Sequence, residues 1–315
     1  MKKGKLFVQT EGLCIGYPGK ILFEGLGVSL FGSELVCLMG PNGIGKSTLI
    51  KVLAGLTPPL SGTLTRTDSR KTEHQVSVVL TTRPANPDLT AEEIVLMGRY
   101  PHLGWFARPS EQDLEFVSSA LRMTGCSDLS GRRAGTLSDG QCQMVMIARA
   151  IAQDTPMILL DEPTSHLDLN NRVEIMELLR RLCRDNNRSI LVSTHELDLA
   201  LQCADQLWLA DPAGMIHCGI PEDLVLDGRI DQVFSLKGFS LKTGKMERKG
   251  LPVRSFLVSG SGHAVLWTKN ALERSGYGTD GGEHITIAEN EDGITWTYSG
   301  KVYSGIGGLL EAIGG

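Results

Sequence analysis

The stretch LMGPNGIGKSTLIKVLAG, from Leu38 to Gly55, decides the fold of this 315-residue chain. Residues 40–47 match the pattern GxxxxGK[ST], with an apolar run before them and a helix-like run after them. In that setting the glycines let backbone N–H groups wrap around a β-phosphate. Lys46 reaches the β- and γ-phosphates, and Ser47 gives Mg²⁺ an oxygen ligand. The stretch therefore predicts a nucleotide-binding loop between a strand and a helix.

A second motif supplies the carboxylates that nucleotide hydrolysis needs. The run Met157–Glu162 reads MILLDE, which is typical of a buried strand that ends in charge. Asp161 is positioned to hold Mg²⁺ through its water shell, and Glu162 can orient and deprotonate the attacking water. We therefore expect Ser47 and Asp161 to serve one Mg²⁺ ion that enters with the nucleotide.

Ninety residues beyond the loop, the sequence TLSDGQ at Thr136–Gln141 precedes a helix-like run and carries no catalytic side chain. It resembles the signature of the ABC-type ATPases, whose usual form is LSGGQ. Further motifs of that family recur in order between about residues 5 and 250. SHLD at Ser165–Asp168 resembles the loop that links two active sites, and STHE places His195 where the family uses a histidine at the γ-phosphate.

The resemblance implies the residues of an ATP site. Tyr17 stands where the family's adenine-stacking aromatic sits, and the implied catalytic residues are Lys46, Glu162 and His195. The implied ATP-binding residues are Tyr17, Gly40, Pro41, Asn42, Gly43, Ile44, Gly45, Lys46, Ser47 and Thr48.

The family also implies two subunits that clasp two ATP molecules. Each signature then completes the site of the other subunit, so Ser138, Gly140 and Gln141 are expected to act on the partner's ATP. Ser138 would offer a hydroxyl and Gly140 a backbone N–H, both backed by a helix N-terminus.

The chain departs from the family pattern at three positions. After the strand-like VSVVL, where the family has a glutamine that senses Mg²⁺ and touches the permease, this chain has Thr81, whose shorter side chain still allows contact with a metal-bound water. Asp139 replaces the usual glycine of the signature, and we expect its carboxylate to point away from the phosphate, which it would repel. Met144 replaces the usual arginine.

Alternating strand-like and helix-like segments predict an α/β fold with a mostly parallel sheet. The resemblance adds antiparallel N-terminal strands and a helical subdomain at about residues 84–150. The pattern of strand-like and helix-like segments changes after about Gly250. We therefore predict an ABC ATPase domain at residues 1–250 and a small α+β domain of unknown role at 251–315. A helix in that small domain is predicted to turn Ala264, Trp267 and Ala271 to one side.

Composition excludes several functional classes. A net charge of −5 disfavours nucleic-acid binding, and 41% hydrophobic residues provide a core. Seven cysteines without a CxxC pair indicate the reduced thiols of a cytosolic protein. There is no signal-peptide core and no apolar run long enough to span a bilayer.

The segment between the nucleotide motifs indicates what the ATPase drives. It holds only a compact helical stretch, each motif occurs once, and no membrane helices are attached. These features favour the separate ATPase subunit of an importer over the repair, ribosome-associated and exporter types. Leu96–Asp113 resembles the helical region of ATPases that serve iron–siderophore, haem and cobalamin importers.

This prediction implies a homodimer, an integral-membrane permease, indirect cooperation with a substrate-binding protein, and a place on the cytoplasmic face of the cell membrane. The alternative is a soluble ABC ATPase in protein or iron–sulfur cluster assembly, which would work without a permease. A module that holds ATP only as a switch is more distant, because Glu162 equips the site for hydrolysis.

Overall fold

The computed structural model describes residues 4–66, 74–80, 84, 86–104, 108–235, 239–241, 245–246, 254–290 and 293–314. The chain divides into two compact units, Met1–Lys245 and Met246–Gly315. All seven cysteines are free thiols. Across these described ranges, no helix has the length and apolar character needed to cross a membrane.

The strands are Leu6–Tyr17 (β1), Lys20–Leu26 (β2), Ser29–Phe31 (β3), Leu35–Met39 (β4), Ser61–Arg66 (β5), Val76–Val79 (β6), Met157–Asp161 (β7), Ser189–Ser193 (β8), Gln206–Ala210 (β9), Ile216–Gly219 (β10), Phe239–Ser240 (β11), Lys245–Met246 (β12), Ser255–Ser259 (β13), Gly278–Asn290 (β14), Gly293–Tyr298 (β15) and Lys301–Tyr303 (β16). The α-helices are Lys46–Leu53 (α1), Ala91–Leu96 (α2), Glu111–Met123 (α3), Asp139–Ala152 (α4), Leu169–Asn186 (α5), Leu197–Cys203 (α6), Pro221–Leu226 (α7), Arg229–Phe234 (α8), Gly262–Arg274 (α9) and Ile306–Gly314 (α10). Short 3₁₀ turns lie at Met97–His102, Ser127–Leu129 and Ala134–Thr136.

The central sheet of the first unit has the strand order β10-β9-β4-β8-β7-β6. Its strands run parallel except β10, which pairs antiparallel with β9. Parallel strands end at the same edge of a sheet, where ligands of such folds bind. The residues that follow β4, β7 and β8 therefore meet at one edge, and the predicted mostly parallel sheet is confirmed.

The N-terminal sheet is antiparallel, as predicted: β1 pairs with β2, β3 and β5. It shares a core with α1 and one face of the central sheet. Alternation along β4 explains this layering, because successive side chains of a strand point to opposite faces. Val36 and Leu38 pack in this core, whereas Cys37 and Met39 pack on the other face, in a core that includes α5.

The segment between the nucleotide motifs is helical, and α2, α3 and α4 pack on one another. α3 begins after Ser110, whose hydroxyl accepts a hydrogen bond from the backbone N–H of Asp113. The Asp113 carboxylate in turn accepts hydrogen bonds from the backbone N–H of Ser110 and, at 2.9 Å, from the buried Arg99. The helix begins where the run SEQDLEFV, with a serine ahead of a carboxylate-rich first turn, predicts a helix start.

The second unit is a small α+β fold around one sheet. β13 and β14 run parallel, β14 and β15 pair antiparallel, and β16 follows at the edge. The core includes Phe256, Leu272, Ile285, Trp296 and Leu309. β14 and β15 form a hairpin, in which Asn290 pairs with Gly293.

Of the three residues predicted on one side of α9, Ala264 and Ala271 are buried, whereas Trp267 is 62% exposed. The helix buries Ala264, Thr268, Ala271 and Leu272. The Thr268 hydroxyl accepts a 2.7 Å hydrogen bond from the indole N–H of Trp296, in the unit's core. The buried face of α9 thus centres on Thr268 and its neighbours one turn away, and Trp267 lies beside that face.

Candidate functional site

The predicted nucleotide loop connects β4 to α1 at the carboxyl edge of the central sheet. Gly43 and Gly45 adopt φ angles of 76° and 115°, in the left-handed region that favours glycine. A Cβ added at Gly45 would also lie 2.9 Å from the ring of Phe23. The loop conformation therefore requires glycine at these positions.

Lys46 begins α1 and is only 5% exposed. Its ammonium group donates hydrogen bonds to the backbone carbonyls of Gly40 at 3.0 Å and Pro41 at 3.2 Å. Burial lowers the pKa of Lys46, while the carboxylates of Glu162 and Asp161 act in the opposite direction. The cation of the loop thus lies within the electrostatic reach of both predicted acidic residues.

The acidic residues are joined to the next strand by a hydrogen-bond chain. At the end of β7, Asp161 accepts a 2.6 Å hydrogen bond from the hydroxyl of Ser193, the last residue of β8. The same hydroxyl oxygen accepts the backbone N–H of Glu162 at 2.9 Å. The carboxylate of Glu162 lies 2.9 Å from Nε2 of His195. The structure therefore brings Asp161, Glu162 and His195 together, with Ser193 between them.

Glu162 has a φ of 49°, an uncommon conformation for a residue with a side chain. Its N–H also bonds to the carbonyl of Ser193, at 3.1 Å. Its carbonyl accepts both the N–H and the hydroxyl of Ser165, at 3.2 Å and 3.0 Å. Contacts on both sides of the residue hold this strained backbone in place.

A cavity of about 250 Å³ lies over the loop. It is lined by Tyr17, Lys20, Leu22, Asn42, Gly43, Gly45, Lys46, Ser47, Thr48 and Glu162. The Tyr17 ring is half exposed, and its hydroxyl lies 2.9 Å from that of Thr48. An aromatic ring with an open face and a polar anchor on α1 suits base stacking over a bound nucleotide.

Sequence analysis missed Lys20 and Leu22 in this cavity. Lys20 pairs with Tyr17 across the tight turn between β1 and β2. Their place in the sequence could have indicated them, because residues just after a tight turn lie beside the residues just before it.

The signature motif does not line this cavity. Ser138 caps the N-terminus of α4, and its hydroxyl accepts the N–H of Gln141 while the Gln141 side chain accepts the N–H of Ser138. Ser138 is exposed, whereas Gly140 is buried, and a Cβ there would lie 2.8–3.0 Å from the side chain of Asn171. Asn171 in turn bonds Asp168 at the end of SHLD. The signature glycine therefore also permits close packing against the helix that follows SHLD.

Two predictions fall on residues that the structure does not describe in full. Thr81 lies outside the described residues. The stretch Leu96–Asp113 is described except at positions 105–107.

This edge of the sheet can hold the phosphates of a nucleotide and place a carboxylate beside them, which defines the class of P-loop ATPases. Two family models match the chain: "ABC transporter" over residues 23–165 and "Iron ABC transporter C-terminal domain" over residues 254–314.

Named relatives align with most of the chain. The achromobactin transport ATP-binding protein of Dickeya dadantii is 36% identical over 236 residues, which are 73% of this chain and 88% of that protein. The ferric enterobactin transport ATP-binding protein of Escherichia coli is 31% identical over 237 residues, with coverage of 73% and 88%.

Solved structures agree on the fold. An inward-facing ABC transporter assigned to the metal-chelate type aligns with a TM-score of 0.68 and 29% identity over 74% of this chain and 90% of that chain. A dimeric ATP-binding cassette with ADP and phosphate aligns with a TM-score of 0.59 and 24% identity over 68% and 98%. The chain belongs to the family of ABC transporter ATP-binding proteins, and as a member it is an ATPase.

Proposed function

We propose that this chain energises an importer of iron chelates of the siderophore type through a separate permease. One observation carries the proposal: the chain joins a cassette related to siderophore-transport ATP-binding proteins to a segment that matches the iron ABC transporter C-terminal domain. The assembly ATPase that works without a permease has no such support. Haem and cobalamin are the other ligands predicted for this importer class. A cobalamin import ATP-binding protein of Halobacterium salinarum is 30% identical over 79% of this chain and 64% of that protein.

Co-purification and reconstitution test the proposal. Affinity purification of the tagged chain from detergent-solubilised membranes is expected to recover a polytopic permease. The complex, reconstituted in vesicles with its binding protein, is expected to take up radiolabelled iron from a panel of ferric siderophores only when ATP is present. The Glu162→Gln complex is the control for hydrolysis. Recovery of only soluble partners, or uptake of haem or cobalamin alone, would contradict it.

The residues of the site suit a Mg²⁺–ATP substrate. Ser47 and Asp161 offer the oxygen ligands that Mg²⁺ prefers, and they lie by the loop that carries Lys46. When bound, Mg²⁺ neutralises phosphate charge. In this proposal Lys46 and the backbone N–H groups of the loop bind the β- and γ-phosphates. These N–H groups include those of Gly43 and Gly45.

Hydrolysis is assigned to the pair formed by Glu162 and His195. The Glu162 carboxylate takes the proton of the attacking water, and His195, bonded to it at 2.9 Å, fixes its direction toward the γ-phosphate. Tyr17 stacks on the adenine, and a hydrogen bond between the hydroxyls of Thr48 and Tyr17 orients the tyrosine.

Transport requires a second subunit in this proposal. ATP closes a homodimer in which Ser138, Gly140 and Gln141 of one subunit reach the ATP of the other. Closure moves the helical segments of α2–α4 together and drives the permease, and hydrolysis reopens the dimer. The chain acts on the cytoplasmic face of the membrane and meets the substrate-binding protein only through the permease.

A further inference from the structure

Ser193 is the first residue of STHE, a motif in which only His195 has an assigned role. Ser193 ends β8, two residues before His195, and is fully buried. Its O–H donates to Asp161 at 2.6 Å, and its oxygen accepts the N–H of Glu162 at 2.9 Å. One hydroxyl thus links the carboxylate proposed to serve Mg²⁺ with the backbone of the proposed general base.

The conformation of Glu162 makes this link consequential. A left-handed backbone at φ 49° is unfavourable for glutamate and persists only when its surroundings hold it. Ser193 holds the N–H of Glu162 through two oxygens, its hydroxyl and its carbonyl, and Ser165 holds the carbonyl of Glu162. Without the Ser193 hydroxyl, the direction of the Glu162 side chain depends on the remaining backbone bonds and on His195.

We propose that Ser193 is a positioning residue for ATP hydrolysis, which fixes Glu162 in register with Asp161 so that its carboxylate faces the attacking water. This inference rests on the proposed roles of Asp161 and Glu162. Because the hydroxyl contacts the base and is not among the described residues that line the nucleotide cavity, its loss is expected to lower kcat and leave ATP binding intact.

Strand β8 offers a matched control. Ser189 begins the same strand and is equally buried, yet its hydroxyl has no hydrogen-bond partner among the described residues. Ser189→Ala and Ser193→Ala remove the same atom from the same strand. Only the second change breaks contacts to the site.

The first experiment compares steady-state ATP hydrolysis and binding of a fluorescent ATP analogue. Ser193→Ala is expected to lower kcat about tenfold, a typical effect of losing one hydrogen bond that acts in the transition state. For Ser193→Ala, KM and the affinity for the analogue are expected to stay within about twofold of wild type. For Ser189→Ala, kcat, KM and analogue affinity are all expected to stay within that range. A normal kcat, or a raised KM at normal kcat, overturns the inference. If Ser193→Ala does not fold, Ser193→Cys replaces it, since a thiol keeps the size but donates weakly, and a full rate in that variant overturns the inference too.

A double-mutant cycle separates positioning from a merely structural role. If Ser193 acts through Glu162, Ser193→Ala in a Glu162→Gln background changes the residual rate by less than about twofold. An undiminished loss in that background overturns the inference. Absence of hydrolysis in the wild-type protein would instead refute the proposed function, and a normal rate in Glu162→Gln would refute the assignment of the base.

Discussion

At the scale of single residues, Lys46 is the charge around which the site is organised. Its ammonium group rests on the carbonyls of Gly40 and Pro41, although burial lowers its pKa. An ammonium group that is held by neutral carbonyls can exchange these partners for negatively charged phosphate oxygens. The exchange is favourable because hydrogen bonds between two charged groups are stronger. This arrangement predicts that the lysine acts on the nucleotide rather than on the fold.

Lys46→Ala is accordingly expected to lower ATP hydrolysis by at least about 10²-fold and to weaken nucleotide binding, because the loop loses its cation. A phosphate-release assay and titration with a fluorescent ATP analogue measure the two effects. Lys51→Ala, in the last turn of the same helix, is the control and keeps the wild-type rate. Near-normal turnover of Lys46→Ala would refute the role of the loop.

The sequence predicts that this loop lies between a strand and a helix, as it does, because that order is local along the chain. It misses contacts that depend on which strands are neighbours. Ser193 meets Asp161 only because β8 lies beside β7 in the sheet, and Gly140 meets Asn171 only because α4 packs near the start of α5. Such pairings between distant segments are absent from the spacing of any one motif.

At the scale of elements, hydrogen-bonded caps mark the start of the three α-helices between the nucleotide motifs. The capping boxes at Thr90, Ser110 and Ser138 start α2, α3 and α4. These signals are local, so the start of α3 was predictable from sequence. The exact buried face of α9 was not, since it includes Thr268, which contacts Trp296 across the domain core.

The capping carboxylate of α3 carries a stability prediction. Asp113→Ala is expected to lower the free energy of unfolding by about 3–5 kcal/mol, because it leaves the buried Arg99 without its anion. Urea unfolding at neutral pH measures the loss. Glu111→Ala, an exposed change in the same helical turn, is the control and shifts stability by less than about 0.5 kcal/mol.

The same carboxylate gives a pH dependence with a defined sign. Hydrogen bonds from the side chain and backbone of Ser110 hold the pKa of Asp113 at about 2, below its usual value. A lowered folded-state pKa means that the stabilisation is complete above about pH 4 and is lost as pH falls through about 2. The difference between wild type and Asp113→Ala therefore narrows from pH 4 to pH 2. A constant difference over that range would contradict the role of the charge.

At the scale of the whole molecule, two units have separate cores. The motifs all precede residue 200, and the second unit has its own sheet and apolar cluster. Removal of residues from Leu251 onward is therefore expected to leave a folded cassette that hydrolyses ATP. Circular dichroism and ATPase rates test this, with the full chain as control. An insoluble truncation would show that the second unit belongs to the folding core of the first. A changed rate or oligomeric state would instead assign it a regulatory role.

The last prediction concerns the two-site mechanism. Glu162→Gln keeps size and hydrogen bonding but cannot accept the proton of water, so hydrolysis is expected to fall roughly 10²–10⁴-fold. Lys46, Ser47 and Asp161 are unchanged, so ATP still binds. If the signature of one subunit grips the ATP of the other, unhydrolysed ATP holds the dimer closed. Light scattering is then expected to detect a dimer that forms with ATP and disappears without it.

The signature itself provides the matching test. Ser138 is exposed at the N-terminus of α4, so Ser138→Arg places bulk at the predicted contact without disturbing a buried core. Added to Glu162→Gln, it is expected to abolish the ATP-dependent dimer while affinity for a fluorescent ATP analogue stays within a few-fold. The comparison also belongs in the chain truncated at Leu251, because association through the second unit would mask the effect. A Glu162→Gln protein that binds ATP but remains monomeric at high concentration would contradict the two-site mechanism. Ser138 would then serve only as the cap of its own helix. Since Ser138 already satisfies the N–H of Gln141 within its own subunit, a dimer that dissolves with Ser138→Arg would mean that this exposed cap also serves a partner.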